Sequence, residues 1–195
     1  MSDLVYWLGN SLYLNLTNRC PNNCYFCIKN FSKGVSGFNL VLDEEPSSAK
    51  IIAKIQEHYK KDLWKEIVFC GFGEPLMRMD CVLEVTKWIK KNLKIKVRII
   101  TTGQAYLLNK DRKVIKKLKE AGVDKMSISL NAQDKDTYNR ICCPKYENAY
   151  QSILDFIKDA KKEFEVEVTA VKVPEVSISK VEEIARNIGV RFRER

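Results

Sequence analysis

Apolar and polar residues form short alternating runs along the chain that favour β-strands, and longer runs with helical spacing separate them. The predicted strands cover residues 11–17, 65–70, 95–101, 123–130, 165–171 and 190–193. A helix is predicted over 46–61, where Pro46 opens the first turn and Ser47 and Ser48 are capping serines. The remaining helices are predicted from the same spacing between later strands.

Six strands that alternate with helices predict one parallel α/β domain over residues 1–195. Gly122 and Gly189 end two of the helical runs, as expected for the residue that follows the last turn of a helix. A doubly wound sheet and a closed barrel both fit this alternation. The periodicity alone therefore leaves the two architectures open.

Three of the predicted strands are apolar on one face and polar on the other. The polar rows are Tyr13, Asn15 and Thr17 in the first strand, Ser127, Ser129 and Asn131 in the fourth, and Glu165, Glu167, Thr169 and Val171 in the fifth. One such row is equally typical of an edge strand that faces solvent. Buried parallel strands are otherwise apolar on both faces, so agreement across three strands predicts a polar interior that holds a ligand.

Three cysteines follow the first predicted strand with C-x3-C-x2-C spacing: Cys20, Cys24 and Cys27. A structural zinc site would add a fourth Cys or His, and an electron-transfer [4Fe–4S] cluster takes four cysteines. No neighbouring residue supplies a fourth ligand, and the single histidine, His58, fits the partly exposed side of an amphipathic helix. The triplet thus indicates a metal cluster with one open position, and a zinc or plain structural site remains the alternative.

This triplet resembles the C-x3-C-x-aromatic-C motif of the radical S-adenosylmethionine (radical SAM) enzymes, with Phe26 as the aromatic residue. The resemblance implies a [4Fe–4S] cluster held by Cys20, Cys24 and Cys27, with the amino and carboxylate groups of S-adenosylmethionine on the fourth iron. One electron would then cleave the cofactor to methionine and a 5′-deoxyadenosyl radical. The family also implies an open, partial (β/α)6 barrel of parallel strands, and a reducing electron donor such as flavodoxin or ferredoxin.

A second motif, Gly71-Phe-Gly73-Glu74-Pro75, follows an apolar strand and precedes an amphipathic helix. Glycines permit a close approach of the backbone to a ligand, and a carboxylate accepts hydrogen bonds from an ammonium group. A turn that contains glycine and proline is also a common way for a strand to end. The segment resembles the radical SAM Gly-Gly-Glu-Pro motif, which implies that Gly73 and Glu74 meet the amino group of S-adenosylmethionine. Phe72 stands where the family has its first glycine.

The resemblance implies further cofactor contacts on the later strands. They are Phe26 and Val171 for the adenine, Ser129 and Asn131 for the ribose, and Thr102 in a turn that resembles the family's Thr-Asn-Gly. Some members bind the carboxylate of S-adenosylmethionine with an arginine after the fourth strand. Arg140 and Lys145 are the candidates for that role here.

Composition narrows the class of protein. With 45% apolar and 30% charged residues among 195, the chain is expected to be globular rather than disordered. It has no apolar run of membrane-spanning length and no signal peptide, so a cytoplasmic location is expected. Seven cysteines without an export signal fit reduced thiols and a cluster better than disulfides. Cys70 and Cys81 fit small buried positions, and Cys142 and Cys143 are expected to be spare thiols.

A net charge of +9 indicates an anionic partner such as nucleic acid, an acidic protein or a charged metabolite. Solvated lysine-rich helix faces produce the same charge, and no nucleic-acid-binding motif accompanies them. Nucleic acid is therefore a weakly supported partner.

Three phrases resemble a subgroup of small radical SAM proteins associated with TatD-type hydrolases. They are Tyr-Trp-Leu-Gly-Asn at 6–10, Cys-Gly-Phe-Gly-Glu-Pro at 70–75 and Ser-Ile-Ser-Leu-Asn-Ala at 127–132. This resemblance implies a TatD-like hydrolase as a partner and leaves the substrate unidentified. Two alternatives stay open: a glycyl-radical-enzyme activase that acts on a partner protein, and a non-catalytic iron–sulfur or zinc scaffold that binds nucleic acid.

Overall fold

The structure is a computed structural model that describes residues 2–109 and 113–195. Its strands are β1 (Val5–Leu8), β2 (Ser11–Leu14), β3 (Gly34–Val35), β4 (Phe38–Asn39), β5 (Glu66–Phe69), β6 (Lys96–Thr101), β7 (Lys125–Ser129), β8 (Glu165–Ala170) and β9 (Arg191–Glu194). Within the described ranges, seven strands form one sheet in the order β1-β2-β5-β6-β7-β8-β9, and β3 and β4 form a separate hairpin.

Helices connect the strands of the main sheet. They are α1 (Ser48–His58), α2 (Met79–Asn92), α3 (Ala105–Asn109), α4 (Val114–Ala121), α5 (Lys135–Cys142), α6 (Ala149–Ala160) and α7 (Ile178–Ile188), with 3-10 turns at Ile28–Asn30 and Pro75–Arg78. None of the helices in the described part of the chain is long and apolar enough to cross a membrane.

The six strands predicted from the sequence are all present, and they pair in parallel from β2 through β5, β6, β7 and β8 to β9. Strand β1 was not predicted. It pairs antiparallel with β2 across a two-residue turn, in which Gly9 has a φ of 55°. Gly-Asn is a turn dipeptide with positive φ, which is the local signal for this hairpin.

A second hairpin, β3–β4, lies in the stretch after the cysteines where the sequence predicted no element. Its turn contains Ser36 and Gly37, with φ angles of 49° and 88°. Two consecutive positive φ angles match the twist of a hairpin, and they identify Ser-Gly as the turn. The side chain of Phe38 in this hairpin packs edge-on against the ring of Trp7, with ring centroids 4.7 Å apart.

Helix α1 is shorter than the predicted 46–61 segment. The Ser47 side chain caps it by accepting a hydrogen bond from the Lys50 N–H at 3.2 Å, as expected for a serine at this position. The helix ends at His58, because Tyr59 adopts an extended conformation. The His58 side chain is partly exposed, and its ring centroid lies 5.7 Å from that of Trp7. His58 is thus the partly exposed helix residue that the sequence predicts.

The apolar faces of the parallel strands form the core beneath the helices. Fully buried residues on these faces include Leu12, Leu14, Ile67, Phe69, Val97, Ile99, Met126, Ile128 and Val168. Each large side chain buried in this way contributes on the order of 2 kcal/mol to stability. The alternation in the sequence therefore assigns this face to the helix layer correctly.

The opposite face of the sheet carries a connected polar network. Arg98 donates two hydrogen bonds to Glu66, at 2.6 and 3.1 Å, and a third to the Ser127 hydroxyl at 3.3 Å. Ser127 donates in turn to Glu167, which also accepts from Arg193 at 2.9 Å. The structure thus confirms the polar interior that the sequence predicts.

Candidate active site

The cysteine loop begins after the carboxyl end of β2. It contains three half-buried thiols, those of Cys20, Cys24 and Cys27. Its turns are fixed by backbone hydrogen bonds. The Cys27 N–H donates to the Cys24 carbonyl at 3.1 Å, and the Asn30 side chain donates to the same carbonyl at 3.0 Å. These hydrogen bonds fix the path of the backbone around the thiols.

The end of helix α5 supports this loop from one side. The Asn23 N–H donates to the Cys142 carbonyl at 3.0 Å, and the Lys145 N–H donates to the Pro21 carbonyl at 2.8 Å. A β-bridge joins Asn22 to Pro144. The segment that follows α5 thus acts as a short strand partner for the loop.

A buried side-chain network fixes the loop from below. Asn22 donates to the Tyr138 hydroxyl at 2.8 Å, while Gln104 donates to the Asn22 side chain at 2.6 Å and to Tyr138 at 3.2 Å. All three residues are buried, where these hydrogen bonds hold them in one arrangement and only the Gln104 side-chain oxygen of the network, among the described residues, has no partner. No sequence pattern identifies these positioning residues, because they are far apart in the chain.

Cys142 differs from the spare thiol that the sequence predicts. It is fully buried at the end of α5, and its thiol interacts electrostatically with that of Cys24 in the loop. The Asn131 amide lies 3.9 Å from the same sulfur. The prediction fits Cys143 better, because that residue is exposed and ends the helix in a left-handed conformation.

The loop cysteines differ in electrostatic environment. Burial raises the pKa of Cys20 to about 12, and the nearby Glu74 carboxylate adds to the rise. Interaction with the Cys142 thiol lowers the pKa of Cys24, and the same interaction together with burial raises the pKa of Cys142. A thiolate at Cys20 thus requires a nearby positive charge, which iron ligation provides.

Gly73 lies against the start of the cysteine loop. A β-carbon at this position would be 2.4 Å from the Thr17 carbonyl oxygen and 2.5 Å from that of Arg19. The next residue continues the contact, because the Glu74 N–H donates to the Arg19 carbonyl at 2.8 Å. The close backbone approach that glycine permits here is to the protein's own loop, directly before Cys20.

The Glu74 side chain is buried and accepts three hydrogen bonds from the protein. One oxygen accepts from the Leu76 N–H at 3.0 Å and from the Thr101 hydroxyl at 2.8 Å, and the other accepts from the Thr102 N–H at 2.5 Å. Burial raises the pKa of Glu74, although these donors oppose the rise. Glu74 therefore ties the turn after β5 to the end of β6.

The residues expected to contact the ribose lie at the carboxyl end of β7. This is the same edge of the sheet at which the cysteine loop leaves β2, because the strands between them are parallel. Ser129 and Asn131 are buried, and Asn131 has a φ of 60°, a conformation that asparagine tolerates. The guanidinium of Arg195 donates to the Ser129 hydroxyl at 3.0 Å and lies 3.5 Å from the Asn131 side-chain oxygen. Contacts thus run from Arg195 through Asn131 and Cys142 to Cys24.

The two residues expected to contact the adenine are partly exposed. Phe26 packs edge-on against Tyr25, with centroids 5.5 Å apart, and Val171 directly follows β8. The Tyr25 hydroxyl donates to Glu175 at 2.7 Å. This bond brings the segment that follows β8 next to the cysteine loop.

Arg140 and Lys145, the sequence candidates for the carboxylate of S-adenosylmethionine, are exposed. Arg195 is exposed as well, and its guanidinium lies on the polar face of the sheet, where it donates to the Ser129 hydroxyl. The period of two in β9 would have predicted that Arg195 lies on this face, since Arg191, Arg193 and Arg195 share one side of the strand. That face follows the same alternation as the polar rows of the other strands.

The donor set fits a [4Fe–4S] cluster with three protein ligands. Within residues 2–109 and 113–195, no three His, Cys, Asp or Glu side chains converge on the position of a single metal ion. Cysteines that bind a cluster ligate separate iron atoms, so they need not converge on one point. Three free thiols on one folded loop meet that requirement.

Comparison with protein families gives a match to the radical SAM superfamily over residues 14–188. The chain belongs to the radical SAM superfamily. Its members are enzymes that use a [4Fe–4S] cluster and S-adenosylmethionine, so the predictions of an enzyme and of both cofactors are confirmed at the level of the family. The match includes the cysteine loop and strands β5, β6, β7 and β8 of the main sheet, and it begins at Leu14, the last residue of β2.

Curated radical SAM relatives are similar over nearly the whole chain. A probable GTP 3′,8-cyclase of Saccharolobus islandicus is 29% identical over 186 residues, which are 92% of this chain and 54% of the relative. A probable GTP 3′,8-cyclase of Methanococcus aeolicus is 27% identical over 97% of this chain and 60% of its own length. The chain thus spans little more than half of the curated relatives it matches.

Solved radical SAM structures share the fold. A structure of TYW1 with a lysine-pyruvate adduct bound has a TM-score of 0.65 at 20% identity, and it covers 96% of this chain and 65% of that one. Streptococcus suis SuiB bound to S-adenosylmethionine has a TM-score of 0.67 at 16% identity, covering 93% and 37%. These similarities confirm the partial (β/α)6 barrel of parallel strands.

Proposed function

We propose that the chain is the catalytic core of a radical SAM enzyme that removes a hydrogen atom from a substrate held on the polar face of the sheet. The proposal is supported by one observation: two groups of residues contact the cysteine loop from different sides. The turn at Gly73 and Glu74 packs on Arg19 from one side. Asn131 reaches Cys142 and hence Cys24 from the other.

In this proposal Cys20, Cys24 and Cys27 hold a [4Fe–4S] cluster. When bound, the reduced cluster supplies the electron that cleaves S-adenosylmethionine to methionine and a 5′-deoxyadenosyl radical. Cys142 interacts with the Cys24 thiol, and polar groups beside a ligand sulfur tune a cluster. Tyr138 and its partners hold the loop in register with α5.

The remaining residues of the proposed site act on S-adenosylmethionine. Backbone groups at Gly73 meet the amino group, and Glu74 positions this turn through its three internal hydrogen bonds. The other proposed contacts are Thr102 beside the amino group, Ser129 and Asn131 at the ribose, and Phe26 and Val171 at the adenine. The polar cavity beside them receives the substrate.

The substrate and the partners are also proposals. The relatives named probable GTP 3′,8-cyclase favour a purine nucleoside triphosphate as the first substrate to test. The sequence segments 6–10, 70–75 and 127–132 instead favour the TatD-associated subgroup and a TatD-like hydrolase partner. In either case we propose one domain over residues 1–195, a cytoplasmic location and flavodoxin or ferredoxin as electron donor.

Anaerobic reconstitution with iron and sulfide tests this function. After reduction with dithionite, the wild type is expected to convert S-adenosylmethionine to 5′-deoxyadenosine, measured by liquid chromatography and mass spectrometry. Cys24→Ala is expected to form none, whereas Cys143→Ala, which removes an exposed thiol, should retain the activity. A wild type with a full cluster that forms no 5′-deoxyadenosine would support a scaffold instead of an enzyme. Addition of GTP then shows whether product formation rises with this substrate.

A further inference from the structure

Cys142 is a buried thiol that is not one of the three proposed cluster ligands. It is the last residue of α5 and is fully buried. The Asn131 amide lies 3.9 Å from its sulfur, and its thiol interacts electrostatically with that of Cys24. A second thiol beside a cluster ligand can react with that ligand, because two neighbouring thiols are oxidised together to a disulfide.

Two backbone hydrogen bonds hold Cys24 against the end of α5. The Asn23 N–H donates to the Cys142 carbonyl at 3.0 Å, and the Tyr25 N–H donates to the Ile141 carbonyl at 3.2 Å. Cys24 lies between these two donors in the chain. Its backbone is therefore fixed next to that of Cys142.

The register of the two segments also places the two cysteines opposite each other. An antiparallel bridge pairs Asn22 with Pro144, and the Asn22 side chain is fixed by its hydrogen bond to the Tyr138 hydroxyl at 2.8 Å. Two residues on from Asn22 is Cys24, and two residues back from Pro144 is Cys142. Residues at facing positions of an antiparallel pair lie close enough for a disulfide.

The sulfurs at this place differ in their access to solvent. Cys24 is half-buried, whereas Cys142 is fully buried. A dissolved disulfide therefore reaches Cys24 first, and Cys142 is in position to attack the mixed disulfide that results. Cys143 is exposed, and its S–H donates to the Arg140 carbonyl at 3.5 Å, so its thiol contacts its own helix.

We propose that Cys24 and Cys142 form a reversible disulfide when the cluster is absent, and that this disulfide closes the cluster site until it is reduced. The oxidant is a small dissolved disulfide such as oxidised glutathione. The Cys24 thiolate attacks it and releases one glutathione thiolate, and the Cys142 thiolate then displaces the second glutathione from Cys24. The two protein thiols lose two electrons and two protons in all, and one oxidised glutathione becomes two glutathione thiols.

The disulfide has two consequences for the proposed site. It removes one of the three thiolates that hold the cluster, because a metal ligand must be a thiolate. It also protects Cys24 from irreversible oxidation to the sulfinic or sulfonic acid, since a disulfide can be reduced again. The role of Cys24 as a cluster ligand rests on the proposed function, whereas formation of the disulfide does not.

Peptide mapping of the cluster-free protein tests the proposal. The protein is incubated with oxidised glutathione, alkylated with N-ethylmaleimide and digested with trypsin, which separates the loop cysteines in residues 20–29 from Cys142 and Cys143 in residues 141–145. Mass spectrometry should find the two peptides joined through Cys24 and Cys142, and dithiothreitol should separate them. Cys143→Ala is the matched control and should keep the link, whereas Cys142→Ala should lose it.

The same oxidation in urea shows whether the fold selects this pair. Without the fold, the links should be distributed over all the loop cysteines. Three results would overturn the proposal: unlinked peptides in the wild type, a distribution of links equal to that in urea, or a disulfide between Cys142 and Cys143. The wild-type result does not depend on the folding of any variant.

The cluster-loaded protein separates a failure of this inference from a failure of the proposed function. Treated anaerobically with oxidised glutathione, it should keep its iron and form no link, because Cys24 is bound to iron. A link that forms while all the iron is retained would support the disulfide but contradict Cys24 as a ligand. A cluster-free protein that forms no link, but still assembles a cluster and produces 5′-deoxyadenosine, would overturn the inference and leave the proposed function intact.

Discussion

Substitution of Gly73 by alanine tests how the turn after β5 holds the cysteine loop. The added β-carbon would lie 2.4 Å from the Thr17 carbonyl oxygen and 2.5 Å from that of Arg19. Both distances are about 1 Å shorter than an ordinary van der Waals contact, which begins near 3.4 Å. Since both oxygens belong to the backbone, no side-chain rotation can relieve the overlap.

The expected loss of stability follows from two terms. Overpacking in a closely packed region costs about 1–3 kcal/mol, and two backbone contacts favour the upper end of this range. Separation of the turn from the loop would also weaken the bond from the Glu74 N–H to the Arg19 carbonyl, which contributes about 1 kcal/mol. We therefore expect Gly73→Ala to lower the free energy of unfolding by about 3–4 kcal/mol.

Urea unfolding of the cluster-free protein, followed by far-ultraviolet circular dichroism, measures this change. Gly37→Ala is the control, because Gly37 has open space around its β-carbon position and a φ of 88°. The control should lose only about 1–2 kcal/mol from backbone strain. Gly73→Ala should in addition bind less iron after reconstitution, because Arg19 directly precedes Cys20. An unfolding free energy within about 0.5 kcal/mol of the wild type would refute the reasoning.

Three further substitutions test other contacts, each by urea unfolding. Glu74→Gln should cost about 2–3 kcal/mol, because an amide cannot accept all three hydrogen bonds; wild-type stability would contradict this. Tyr138→Phe should cost about 1–2 kcal/mol by leaving Asn22 and Gln104 without a shared acceptor, and an unchanged midpoint would argue against the network. Asp134→Ala should cost about 1 kcal/mol at pH 7 through loss of the α5 cap.

The Asp134 effect should depend on pH. A hydrogen bond from the Thr137 N–H lowers the pKa of Asp134 in the folded protein. The stabilisation is therefore complete above the unfolded pKa of about 3.9 and is lost as the pH falls through the lower folded value. The difference between wild type and Asp134→Ala should shrink below about pH 4, and a constant difference down to pH 2 would contradict the assignment.

The sequence predicts the parallel sheet because its strands carry one apolar face for the helices and one polar face for the interior. Leu12 and Leu14 are fully buried, while the intervening Tyr13 lines the cavity. The β3–β4 hairpin was missed because strands of two residues have too few positions to show a period. Strand β1 was missed because its four residues, Val-Tyr-Trp-Leu, are all apolar or aromatic and show no alternation. Their turn residues, Gly9 and Gly37, carried the signal instead.

The cysteine motif likewise fixes the position of the site, since its residues are neighbours in sequence. The residues that support it are distant in the chain, and single-sequence patterns contain no information on such contacts. Cys142 reaches Cys24 across more than a hundred residues, and Arg195 reaches Ser129 in the same way. The sequence likewise identifies the Glu74 carboxylate. It does not show that the Leu76 N–H, the Thr101 hydroxyl and the Thr102 N–H donate hydrogen bonds to it.

The central claim is that three cysteines hold a cluster whose fourth iron is open to S-adenosylmethionine. Electron paramagnetic resonance of the reduced, reconstituted protein tests it directly, with spectra recorded before and after S-adenosylmethionine is added. The claim predicts that the g values shift in the wild type and in Cys142→Ala alike. A wild-type spectrum that S-adenosylmethionine leaves unchanged would contradict it. If only Cys142→Ala responded, Cys142 would be the fourth ligand and the iron would not be open.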